Sequence, residues 1–212
     1  MRAPLACLVS LAALTGTARA DEDPGMQLMG IMMKTPAISA DGKHVAIYSH
    51  DPGTEKDAKT SLAVFGSKKG NLEKRHSVVP PNTDAARARA AAATLVKLLD
   101  AGGYKRMSRV ARVSEEAKKT DFATQLKSED LVIDVRLVSR KLDISASRDG
   151  KKLKAVSKKL PAKEGACKAV DGYDIANTMA GYDATTGAFA FSVTAEEAGT
   201  VCFSHDFVVT LK

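Results

Sequence analysis

The stretch Leu131-Val132-Ile133-Asp134-Val135-Arg136-Leu137-Val138, continued by Lys141-Leu142-Asp143-Ile144-Ser145-Ala146-Ser147 into Arg148-Asp149-Gly150-Lys151-Lys152, decides the fold class. Leu131, Ile133, Val135 and Leu137 alternate with mostly polar neighbours, and Leu142, Ile144 and Ala146 continue that period of two. Such alternation marks strands with one buried face. Asp149-Gly150 between two extended runs is a hairpin turn, because glycine accepts the positive φ that short hairpins require.

The same pattern recurs toward the N-terminus. Asp41-Gly42 separates Thr35 to Ser39 from Lys43 to Ser49, and a second hairpin is predicted from Ser61–Gly66 and Leu72–Val79 around Ser67-Lys68-Lys69-Gly70-Asn71. Pro80-Pro81 stops that hairpin, and Thr83 or Asn82 then caps a predicted helix from Asp84 to Asp100. Ala88, Ala92, Leu95 and Leu99 fall on one narrow face of it, an alanine-lined stripe suited to packing on a sheet. Gly102-Gly103 ends it.

Tyr104 to Val113 reads as a returning strand, and the charged stretch Ser114 to Asp130 as a seam with a short helix around Glu115 to Leu126. Pro161 to Gly187 reads as a long irregular segment. Ala188–Thr194 and Thr200–Leu211 close the chain as an antiparallel pair, with Val201, Phe203, His205, Phe207, Val209 and Leu211 facing one way and Cys202, Ser204 and Asp206 the other. The sum is an α+β fold: mainly antiparallel sheet in two related halves, 30–113 and 128–212, with one long amphipathic helix packed on it.

Composition sets the compartment. Arg2, the apolar run Leu5 to Leu14 and Ala18-Arg19-Ala20 form an export signal over residues 1–20, cut after Ala20. The run is too short to span a membrane, so no membrane span is expected, and residues 21–212 form a single exported domain, periplasmic or secreted. Losing Arg2 and Arg19 takes the formal charge from +7 to +5. Aromatics are 5% of the chain and tryptophan is absent, so the core must come from Ala, Val, Leu and a few Phe. Cys167 and Cys202 are the two thiols left after cleavage, and in an exported protein such a pair is expected to form a disulfide.

The two Asp-Gly hairpins share wording: Ser39-Ala40-Asp41-Gly42-Lys43 and Ser147-Arg148-Asp149-Gly150-Lys151 are both Ser-x-Asp-Gly-Lys. This resembles the strand-turn-strand signature of propeller blades in exported TolB-type proteins. The resemblance implies an extracytoplasmic β-rich protein. It covers two short stretches, and the helix at Asp84 to Asp100 stands where the next blade of a full propeller would begin.

Chemical motifs are sparse. His44, His50, His76 and His205 show no metal-helix spacing, and His205 lies on the apolar face of the last strand, as a core histidine would. Asp171, Asp174 and Asp183 sit in a Gly-Tyr-Asp-rich loop, where turns held by aspartate side chains account for them more simply than calcium. No nucleophile elbow or phosphate-cradling loop is present, and neither a catalytic residue, a metal site nor a cofactor is implied.

The basic run is the one feature with a partner in view. Arg148, Lys151, Lys152, Lys154, Lys158 and Lys159 are the candidate anion-binding residues. Lysines also protect a sheet edge from further pairing. The expected function is a non-catalytic binding or interaction module for an anionic cell-envelope polymer or another envelope protein. Nucleic acid is disfavoured by the export signal and by the lack of interleaved aromatics. The alternative is an exported hydrolase, which would need a pocket holding a desolvated, paired histidine or carboxylate.

Overall fold

A computed structural model describes residues 24–51, 59–78, 84–118, 121–160, 170–175 and 180–212. The export signal at 1–20, Asn82, Thr83 and Cys167 lie outside the described residues.

Among the described residues the strands form three antiparallel sheets. The first takes β1 (Ala37–Ile38), β2 (His44–Asp51), β3 (Lys59–Gly66), β4 (Leu72–Val78) and β5 (Lys105–Arg106) in the order β4-β3-β2-β1-β5. The middle sheet holds β6 (Ser108–Arg109), β13 (Gly172–Ile175), β14 (Gly181–Asp183), β15 (Ala188–Glu197) and β16 (Thr200–Thr210). The outer sheet runs β11-β10-β9-β8-β7, built from β7 (Ala111–Lys118), β8 (Asp121–Ser128), β9 (Leu131–Val138), β10 (Lys141–Arg148) and β11 (Lys151–Lys152), with β12 (Val156–Lys159) also on β10.

The alternation at Leu131, Ile133, Val135 and Leu137 buries that face of β9 as expected, and Leu142, Ile144 and Ala146 do the same on β10. Asp149 and Gly150 both take positive φ, 49° and 75°, between the paired residues Arg148 and Lys151. That is the two-residue turn whose twist matches the strands.

Two helices cover one face of the first sheet. The expected one is α2 (Ala85–Ala101), capped by Asp84, whose Oδ1 accepts from the Arg87 amide at 3.0 Å. Its buried residues are Ala88, Ala92, Leu95 and Leu99. The other, α1 (Pro24–Lys34), precedes the first strand, where no helix is expected from the sequence. Leu28 and Ile31 of α1 join Leu95 and Leu99 of α2 over Ala46 and Leu62 of the sheet.

The first sheet's other face meets the middle sheet, where Val45, Ile47, Ala63 and Phe65 pack on Ala188, Ala190 and Val208. The far face of the middle sheet meets the outer sheet through Phe189, Phe191, Val193, Phe203 and Val209 against Leu126, Ile133, Val135 and Leu142. β15 is thus buried on both faces, small residues toward the first sheet and phenylalanines toward the outer one. The order of layers is helices, first sheet, middle sheet, outer sheet.

Several expectations need correction. Tyr104 to Val113 is not one strand: β5 pairs with β1, β6 with β14 and β7 with β8, so a short segment visits all three sheets in turn. The helix expected around Glu115 to Leu126 is the β7–β8 hairpin. Phe122, Thr124 and Leu126 are buried at a period of two, a signal hidden by the charges around it. The irregular segment 161–187 contains β13 and β14. Cys202 does not face away from Phe203. The ladder slips between Ala195 and Glu196, which pair with Phe203 and Val201, so Cys202 is the extra residue of a bulge and is buried in the same core as Phe203.

Candidate functional site

The turn between β3 and β4 carries Lys68 and Lys69, and its backbone is tightly fixed. Gly70 donates to the Gly66 carbonyl at 2.8 Å, and Gly66 to that of Asn71 at 3.0 Å. Ser67 is buried; its amide donates to the Lys43 carbonyl at 2.8 Å and its Oγ to that of Gly42 at 2.6 Å. From β16, Thr210 Oγ1 donates to the carbonyls of Ser67 at 3.0 Å and Lys68 at 3.1 Å. Gly70 has φ +64°, and a Cβ there would stand 1.8 Å from the Val208 carbonyl oxygen. The lysine turn therefore lies directly on the backbone of the last strand.

Beside it runs the segment from Lys154 into β12. Lys68, Lys69, Lys154, Ala155, Val156, Ser157, Lys158, Val208, Val209 and Thr210 together line an open cleft of ≈ 360 Å³. Four of the lining residues are lysines, and none is an aspartate or glutamate. The hydrogen bonds of the turn fix the backbone from which two of the lysines project over this side of the cleft.

The six residues expected to bind anions divide. Lys154 and Lys158 line the cleft. Lys159 points to the opposite face of β12, across from Lys141. Lys151 and Lys152 form the exposed tip strand β11 and are not in the lining. Arg148 is engaged elsewhere: its Nε lies 3.1 Å from Asp130 Oδ2, its Nη2 donates to the Tyr182 hydroxyl at 3.1 Å, and its guanidinium stands 5.9 Å from the centroid of that ring. Lys68 and Lys69 were visible in the sequence only as turn residues. Nothing in chain order shows that they meet Lys154 and Lys158.

A larger cavity of ≈ 490 Å³ lies along Ser108 to Arg112 and Lys127 to Glu129. Its lining is more nearly balanced in charge than that of the lysine cleft. Arg112 pairs with Glu115, lies 2.5 Å from Asp174 Oδ1 and donates to the Ile175 carbonyl at 2.7 Å, and Glu129 adds negative charge to the wall.

The loop aspartates have separate structural tasks. Asp183 Oδ2 accepts from the Thr186 amide and hydroxyl, both at 2.7 Å, and Asp171 Oδ2 accepts from the Ala198 amide at 2.8 Å. No group of three or more His, Cys, Asp or Glu that could hold a metal occurs among the described residues. His205 is half-buried with its ring centroid 4.7 Å from that of Phe203, and His44 Nδ1 lies 2.9 Å from Glu73 Oε2.

Sequence reasoning missed a polar cluster between the first and middle sheets. Ser49, Ser61 and Ser192 are buried; Ser192 Oγ donates to Asp206 Oδ1 at 2.8 Å, and Arg75 Nη1 donates to Ser61 Oγ at 2.9 Å. Burial pushes the Asp206 carboxyl above its ordinary value, against the opposing pull of Ser49, Ser192, Arg75 and His205. A carboxyl with a raised pKa binds its proton more tightly folded than unfolded. It is therefore unfavourable to the fold above that raised value, and the penalty disappears as pH falls toward the unfolded value near ~3.9. Wild type should accordingly gain stability relative to Asp206→Asn as pH is lowered from 7 to 4, read from urea unfolding at each pH. A difference that stays flat would mean that the carboxyl is not desolvated.

No known protein family, curated protein or solved structure matches this chain.

Proposed function

We propose that the chain is an exported, non-catalytic binding module whose lysine cleft holds an anionic polymer of the cell envelope. The observation that carries this reading is the convergence of Lys68 and Lys69 with Lys154 and Lys158 around one cleft without a carboxylate in its lining. A desolvated carboxylate, which a hydrolase would use, is present at Asp206, but the cavities at the lysine turn and along Ser108 to Arg112 are lined by other residues. No helix among the described residues is long and apolar enough to cross a membrane. Export rests on residues 1–20. A disulfide from Cys167 to the buried Cys202, and an ancient duplication leaving one Ser-x-Asp-Gly-Lys hairpin in each half, belong to the same proposal.

The test compares two variants of equal charge on an anionic polysaccharide. One replaces Lys68, Lys69, Lys154 and Lys158 by Gln; the other replaces Lys141, Lys151, Lys152 and Lys159. Binding that releases counterions weakens linearly in log salt, with a slope set by the number of cationic contacts. The cleft variant should lose about tenfold or more in affinity and have a shallower slope, while the control loses less than about threefold. Equal losses would show general charge attraction and remove the cleft from the proposal.

A further inference from the structure

Helices α1 and α2 pack through Leu28, Ile31, Leu95 and Leu99 but leave a groove of ≈ 490 Å³ between them. That volume lies in the range of small-molecule sites, about 300–1,000 Å³. Met26, Gly30 and Lys34 line the groove from α1 at a spacing of four, which sets them in one stripe about 12 Å long. Ala93, Val96 and Lys97 line it from α2, and the buried Ile31 and Leu99 add apolar wall.

Gly30 is the informative residue. Its backbone is helical, and a Cβ placed on it would meet nothing within 4 Å. Glycine inside a helix weakens it relative to alanine, and here neither a turn nor a close contact calls for one. Its effect is to leave the groove open at mid-length. Met26, 64% exposed, stands at one end with a side chain that adapts to varied apolar partners. Lys34 and Lys97 are the cations of the lining, and Asp100 is its one acid. The groove thus joins an apolar length to a net positive charge, the complement of an alkyl chain that ends in an anion. A second copy of the chain fits poorly. The two helices carry Lys34, Arg87, Arg89 and Lys97 at their surface against Asp84 and Asp100, and a two-fold contact would set that positive patch on itself.

We propose that the groove between α1 and α2 binds a single fatty carboxylate, its alkyl chain over Gly30 and its head group among the lysines of the lining. Binding is reversible and involves no covalent step. The site is independent of the lysine cleft.

The test adds decanoate, below its micelle concentration, to the purified protein with ¹³C-methyl-labelled methionine. The Met26 methyl should shift and saturate, while that of Met107, buried between the first and middle sheets, stays in place. Butyrate has the charge without the chain and should bind at least about a hundredfold more weakly, since each buried methylene contributes about fourfold. Decyl maltoside has the chain without the charge; it, and decanoate with the K34Q/K97Q variant, should each bind about fivefold more weakly, the scale of an exposed ion pair. Gly30→Leu and Ala93→Leu fill the groove from either helix. Each should melt at or near the wild-type temperature or above it and lose about tenfold or more in decanoate affinity. A Met26 methyl unmoved up to the micelle concentration would overturn the proposal. So would a folded leucine variant that binds as wild type does, or equal binding of decanoate and decyl maltoside. Cosedimentation with anionic lipid vesicles, without any response to decanoate, would overturn it in favour of a membrane surface.

Discussion

Gly70→Ala should destabilise the protein by about 3 kcal/mol or more, whereas Gly150→Ala should cost about 1–2 kcal/mol. Both glycines hold a positive φ, +64° and +75°, so both substitutions carry the intrinsic cost of a left-handed residue. They differ in what the new methyl group meets. At Gly150 nothing lies within 4 Å, but at Gly70 the Cβ would stand 1.8 Å from the backbone oxygen of Val208. A backbone carbonyl within a paired strand cannot rotate away as a side chain can. The turn must lift from β16, and the bonds from Thr210 Oγ1 to the carbonyls of Ser67 and Lys68 go with it. Retention on an anionic matrix should fall too, because Lys68 and Lys69 would lose their place over the cleft. Chemical denaturation of the two variants beside wild type checks the stability difference. Equal costs at both positions would show that the turn is not seated on the last strand.

Phe191→Ala should cost about 3–5 kcal/mol. Phe191 is fully buried on β15, stacked with Phe189 at 4.7 Å and with Phe207 at 5.4 Å between ring centroids. It belongs to the core shared by the middle and outer sheets, so truncation opens a cavity where the two sheets meet rather than at an edge. For a chain of this size the loss corresponds to a fall in Tm of roughly 10 °C, at about 2–4 °C per kcal/mol. Phe191→Leu should recover part of it by refilling the volume. A loss under about 1 kcal/mol for the alanine variant would mean that the two sheets are not held together through this residue.

The legible parts of this fold are those in which one strong local signal acts alone. Leu131 to Leu137 and Leu142 to Ala146 have clean alternation, and Ala88, Ala92, Leu95 and Leu99 have a clean helical stripe. The Asp41 turn is legible for a chemical reason: its carboxylate accepts from Ser39 Oγ at 2.6 Å and the Lys43 amide at 3.0 Å, which holds its pKa below the ordinary carboxylate range. Other parts are masked by competing signals. Around Phe122, Thr124 and Leu126 the charges imitate a helix face, and at Ser139-Arg140 two residues take φ of 50° and 67° in the β9–β10 turn without a glycine to announce it. Register, fixed by burying both strands' apolar faces, imposes that turn.

By itself the sequence determined the local elements and the charge: an antiparallel, strand-rich chain with a helix expected from Asp84 to Asp100 and a formal net charge of +7. These follow from periodicity and composition, which act over a few residues. Only the tertiary structure decided that there are three stacked sheets, that α1 presents its methionines to solvent, and that Lys68 and Lys69 stand beside Lys154 and Lys158. Each of those depends on which faces bury each other. β15 shows why: small residues seat one sheet against it and phenylalanines the other, and the cleft exists where the ends of those layers meet.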